Sequence, residues 1–124
     1  MLLNEFFFLS DLQNDNGTVN ASIEINGQHK IFSGHFPGQP IVPGVCMLQM
    51  VSEVLENVLG LKIQLRTADY LKFLAFINPV ESNMIQVELQ YSETEDSCLK
   101  VNASLKNTQT TFFKCKVVFA ITNL

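Results

Sequence analysis

His35 stands in residues 33–44, Ser-Gly-His-Phe-Pro-Gly-Gln-Pro-Ile-Val-Pro-Gly, which hold three of the chain's six glycines and three of its four prolines. Imidazole titrates near neutrality, so it can take and return a proton if one ring nitrogen is held by a neighbour and the other faces the substrate. Pro37, Pro40 and Pro43 fix φ and restrict the residues before them, and the glycines permit close backbone approaches. Such a loop can hold His35 rigidly; a stiff connection with an incidental histidine is the alternative. An apolar helical pattern follows, and along it Gln49 and Glu53 fall one turn, about 5.4 Å, apart.

The string GHFPGQPIVPGV resembles the loop of the β-hydroxyacyl-acyl-carrier-protein dehydratases of fatty-acid synthesis, G-H-F-P-G-x-P-x-x-P-G. Residues 72–89, KFLAFINPVESNMIQVEL, resemble that family's R-F-x-x-P-V-x-P-G-D-x-L strand, turn and strand. The resemblance spans residues 5–122, with the N-terminal third and the last two strands alike in pattern only. It implies an α+β hot-dog fold, an antiparallel sheet wrapped around one long central helix. The family places its catalytic Glu or Asp five residues after the last Pro-Gly and a Gln four residues beyond. Here Gln49 occupies the acid position and Glu53 the Gln position, so amide and carboxylate are exchanged.

In that family a β-hydroxyacyl group on a phosphopantetheine arm loses water to give a trans-2-enoyl thioester, with no other cofactor and no metal. By resemblance, His35 takes the α-proton, and Phe36, Pro43, Val45 and Glu53 join the substrate site. The Gly44 N–H, unshielded by a side chain and at the positive end of a helix, suits the thioester oxyanion. Its other use is to let the chain turn into the helix. Gln49 can hydrogen-bond a hydroxyl, a carbonyl or a water but cannot act as a Brønsted acid. Three outcomes stay open: Glu53 supplies the acid from the next turn, His35 serves as both base and acid, or dehydration is lost and acyl binding retained. For Glu53 a solvated helix-face charge is the plain alternative. A hot-dog acyl thioesterase and a non-catalytic acyl-binding subunit are the competing functions. The resemblance also implies a homodimer, with a hexamer as a trimer of dimers beyond it, in which His35 of one subunit faces residue 49 of the other across an apolar tunnel.

The chain has 124 residues, one domain's length (1–124), with 47% hydrophobic and 16% charged residues. That apolar excess predicts a subunit interface and an apolar ligand channel. A formal charge of −4 without a Lys/Arg run argues against nucleic-acid binding. An acidic acyl carrier protein, or a coenzyme A thioester, would then need a local basic patch, for which Arg66, Lys62 and Lys72 are candidates. Cys46, Cys98 and Cys115 lack metal-ligand spacing and predict a reducing compartment. Cys46 is expected to be a packed core thiol. The apolar residues 1–9 have no basic lead and no small-residue cleavage site, and read as a strand. No run reaches the roughly 18 apolar residues of a membrane span, so a soluble cytoplasmic protein is expected.

Residues 11–17 form a turn cluster ending in Asn-Gly. Residues 18–25 alternate, with Val19, Ala21, Ile23 and Ile25 on one face. From Val45 to Leu59 the pattern is helical, with Met47, Met50, Val51, Val54, Leu55 and Val58 inward, Gln49, Ser52, Glu53 and Glu56 on another face, and Gly60 as the cap. Strands are expected near 61–76, 81–92, 97–107 and 110–121.

Overall fold

The computed structural model describes residues 1–34 and 38–123. Six strands form one antiparallel sheet: β1 (Phe7–Asp15), β2 (Thr18–Ile25), β3 (Ile63–Phe73), β4 (Met84–Glu93), β5 (Cys98–Lys106) and β6 (Thr111–Ile121). Their order is β1-β2-β4-β5-β6-β3. The short α1 (Ile31–Gly34) precedes the loop, and the long α2 (Gly44–Leu59) follows it.

Alternation along the strands explains the curl. Val19, Ala21, Ile23 and Ile25 of β2, Ile85, Val87 and Leu89 of β4, and Val101, Ala103 and Leu105 of β5 all turn to one face and are buried. Phe113, Cys115, Val117 and Phe119 of β6 continue the row, and Met47, Met50, Val51, Val54 and Leu55 of α2 fill the space against it. Burying each such Leu, Ile or Phe contributes about 1.5–3 kcal/mol, which is what holds the sheet around the helix. This is the hot-dog fold.

Pro43 is the N-cap of α2, with φ −61° and ψ 145° and no side-chain cap. Its carbonyl accepts from Cys46 N at 3.0 Å and Met47 N at 3.3 Å. At the other end Gly60 donates its N–H to Glu56 O at 2.8 Å, as the cap assignment requires. Glu56 Oε2 then accepts from Ile63 N at 3.0 Å and ties the helix end to the start of β3.

Two expectations at the N-terminal end need correction. The turn cluster at 11–17 is mostly strand: β1 runs to Asp15, its register shifting between Ser10 and Gln13 where Asp11 takes φ 52°. A bulge absorbs the polar residues, and the reversal narrows to Asn16-Gly17, both at positive φ (50° and 88°). Nor is the apolar start wholly strand. Residues ahead of Phe7 turn instead, with Phe6 N donating to Leu2 O at 2.7 Å and Glu5 N to the same oxygen at 3.1 Å.

Strand β3 lies at the sheet edge and pairs only with β6, with register shifts at Leu65/Thr67 and Ala68/Tyr70. It ends at Phe73, short of the expected 76. The chain then leaves the ladder as Leu74 N donates to Phe112 O at 2.8 Å. No helix among the described residues is long and apolar enough to cross a membrane.

Candidate functional site

The start of α2 and the end of β3 enclose an apolar groove of about 490 Å³, walled by Val42, Pro43, Gly44 and Met47 on one side and Phe73, Leu74 and Phe76 on the other. Phe76 and Leu74 are 77% and 54% exposed, so this wall is apolar and open. The ring of Phe73 stacks on Phe113, with centroids 5.0 Å apart, and lies against Gly44. Glycine is favoured there by packing, since a Cβ at 44 would stand 2.9 Å from Phe73 Cε1. Among the described residues the Gly44 N–H donates to no acceptor.

Val45 is 76% exposed and Gln49 is exposed one turn further along. Glu53, another turn on, is not the solvated charge that the helical pattern offered as its plain alternative. It is only 1% exposed. Its Oε1 accepts from Leu2 N at 2.9 Å and Leu3 N at 2.7 Å, and its Oε2 from Leu2 N at 2.9 Å and Gln49 Nε2 at 2.7 Å. A buried carboxylate costs several kcal/mol in lost hydration unless charge-assisted bonds replace the water. Here the N-terminal turn and the Gln49 amide replace it. Glu53 therefore faces the N-terminal segment and Gln49, and not the groove.

The structure thus brings together Pro43 and Gly44 at the groove, and separately Gln49 with Glu53. His35 and Phe36 lie outside the described residues. Sequence reasoning singled out neither the Phe73–Phe76 wall nor the Glu53 clamp. The first had a signal in the unbroken apolar run at 73–77, which fits no alternating strand. The second had none, because the N-terminal partners lie 50 and 51 residues from Glu53.

Of the three cations proposed for docking, Arg66 is engaged: its guanidinium donates to Asp96 Oδ2 and to Cys98 Sγ, both at 2.9 Å. Asp96 is held below the usual carboxylate range by the Thr94 hydroxyl first and Arg66 second. Lys72 lies over the Tyr70 ring at 4.6 Å and directly opposite Lys114 in the β3–β6 pairing. All three cysteines are buried and free, Cys46 among them as expected. Burial raises the Cys46 thiol and pushes Cys115 up to about 11. Among the described residues no group of three His, Cys, Asp or Glu side chains gathers as a metal site.

Residues 11–114 match the family described as ApeI-like, ApeI dehydratase. The chain is 25% identical over 80 residues to the 3-hydroxyacyl-[acyl-carrier-protein] dehydratase FabZ of Wolbachia pipientis wMel, a match covering 59% of this chain and 56% of that protein. A 30-residue stretch is 47% identical to FabZ of Moorella thermoacetica, covering 24% of this chain and 21% of that one. The chain thus spans little more than half the length of the first of these curated relatives. Among solved structures, the dehydratase heterocomplex ApeI:P from Xenorhabdus doucetiae superposes with a TM-score of 0.73 at 18% identity, over 92% of this chain and 97% of that one. A hypothetical thioesterase with coenzyme A from Streptococcus pneumoniae TIGR4 gives 0.65 at 10% identity, over 97% and 91%. At these identities the structural likeness shows the fold alone.

Proposed function

The chain belongs to the ApeI-like dehydratase family, and from that premise we propose that it removes water from 3-hydroxyacyl thioesters carried on acyl carrier protein. The product is a trans-2-enoyl thioester for fatty-acid or related lipid or polyene synthesis. The observation that carries this reading is the open apolar groove lined by Gly44, whose N–H donates to no acceptor among the described residues, directly after the dehydratase-like loop.

An acyl chain lies along Met47, Phe73 and Phe76, with its thioester carbonyl toward the Gly44 N–H. His35 removes a proton from C2, negative charge builds on the thioester oxygen, and the Gly44 N–H stabilises it. The electron pair then closes the C2–C3 double bond while the C3–O bond breaks. The departing hydroxide takes the proton back from the imidazole and leaves as water, so base and acid are one residue. Gln49 aligns the hydroxyl without supplying a proton. The phosphopantetheine of the carrier brings the substrate, and no further cofactor enters.

Two copies joined along β3 complete the site, with Val45 and Gln49 of one facing the loop of the other. Lys72 beside Lys114, like charges in direct register, offer an acidic carrier a place to dock near the groove mouth. A reducing cytoplasmic setting fits the three free thiols.

The exposed Gln49 favours a second reading, in which this chain completes a site whose acid comes from a different dehydratase-like chain. The test is incubation with carrier-linked 3-hydroxyacyl substrate, scored separately for enoyl product and free acid. Enoyl formation that falls about 10²–10⁴-fold in His35→Ala supports the dehydratase. Free acid alone points to a thioesterase, and neither product without a second chain points to the non-catalytic subunit.

A further inference from the structure

A carboxylate accepts hydrogen bonds and donates none, so the amide nitrogen of Gln49, and not its oxygen, must be the atom 2.7 Å from Glu53 Oε2. Glu53 has no freedom to release it, because both its oxygens are tied to Leu2 and Leu3 and the side chain is buried. An unrestrained surface glutamine rotates and offers solvent a donor or an acceptor alike. Gln49 is held in one sense, with its carbonyl oxygen away from Glu53 on the exposed side of α2.

We infer that Glu53 is a positioning residue that fixes Gln49 with its carbonyl oxygen outward, so that residue 49 selects acyl groups bearing a hydroxyl at C3 over those without one. The hydroxyl donates to Gln49 Oε1, and an acyl group lacking it leaves that oxygen without a partner. The exchange of acid and amide between positions 49 and 53 thereby replaces a proton donor with a hydroxyl reader. This rests on the proposed function for the placing of the acyl group against residue 49.

Two readouts test it without relying on turnover. In chain labelled with ¹⁵N at glutamine side chains, one Gln49 amide proton is expected to resonate downfield and exchange slowly, and Glu53→Leu, which removes the acceptor, should return it to the ordinary position. By calorimetry, 3-hydroxyacyl pantetheine amide is expected to bind about fivefold tighter than the saturated acyl amide of equal length, the worth of one hydrogen bond. Gln49→Ala and Glu53→Leu should both abolish that preference. An ordinary Gln49 signal in the wild type, or a preference that survives Glu53→Leu, overturns the inference. If Glu53→Leu does not fold, Gln49→Glu at the exposed position replaces it. The new carboxyl would stand against Glu53, with Glu56 tied to Ile63 N, and with Lys62 and the Met1 amino group at the same cleft, as the nearby charges. A carboxyl pair sharing one proton then titrates above the ordinary range, whereas two ordinary titrations overturn the pairing. A wild type that prefers the hydroxyacyl probe yet forms no enoyl product upholds this inference and sinks the dehydratase reading.

Discussion

The ring of Phe73 stands where a side chain on residue 44 would have to go, with Cε1, Cδ1 and Cζ at 2.9, 3.2 and 3.3 Å from a Cβ built there. Phe73 is 52% exposed, so the ring can swing outward more cheaply than the helix can move. Gly44→Ala is expected to cost about 1 kcal/mol, the low end for over-packing, and to reduce acyl binding by spoiling the groove wall. Urea unfolding of Gly44→Ala, Phe73→Leu and the double mutant checks this. Strict additivity of the two costs would show that the contact is not the cause.

Removing the Glu53 carboxylate strands the Leu2 and Leu3 N–H groups. Glu53→Ala is expected to lose about 1–3 kcal/mol of stability and to speed amide exchange at residues 2–6 before any other segment. Uniform acceleration along the chain would contradict a local clamp.

Gln49→Glu returns a titratable carboxyl to the exposed helix face. Enoyl formation is expected to rise by about 10²-fold, as gain of a general acid allows, and to acquire a limb that falls as pH rises and the shared proton is lost. A rise without that limb would mean that residue 49 acts only by position.

Cys46 and Cys115 are raised by burial, so both should resist thiol reagents at pH 8 in the native chain and react after unfolding in urea. For Cys115 the linkage runs one way. The unfolded thiol ionises near its ordinary 9.0 and the folded one near 11, so stability is full below 9 and falls as pH climbs between the two values. Rapid labelling of either native thiol would refute this.

Sedimentation is expected to give twice the chain mass, and Leu65→Glu on the edge strand to give the chain mass alone. A wild-type monomer would remove the shared site from the proposal.

The central helix, its Gly60 cap and the last four strands were legible because each depends on periods of 3.6 or 2 and on local turn residues. The inward row Val19, Ala21, Ile23 and Ile25 was legible for the same reason. The environment of Glu53 was not, since its helical position marks it as polar while its partners come from the other end of the chain. The bulge in β1 was hidden in a different way: a run of Asp, Gln and Asn reads as a turn, yet one extra residue lets the strand continue. At Gly44 the motif placed the glycine but not the aromatic ring that a larger residue would have to displace.

The strand order also bears on how the molecule reaches its final form. Short reversals join β1 to β2, β4 to β5 and β5 to β6, whereas β3 must find β6 across the two intervening strands and β2 must find β4 across α2 and β3. Local pairings close first because they cost least chain entropy. The β2–β4 and β3–β6 pairings are therefore expected to be the last to gain protection in pulse-labelled refolding, and assembly along β3 would wait on the second. A newly made chain would carry its apolar helix under an unfinished sheet until those late steps, which makes the two long-range closures the point at which dilution, crowding or a slow partner would decide between pairing and aggregation.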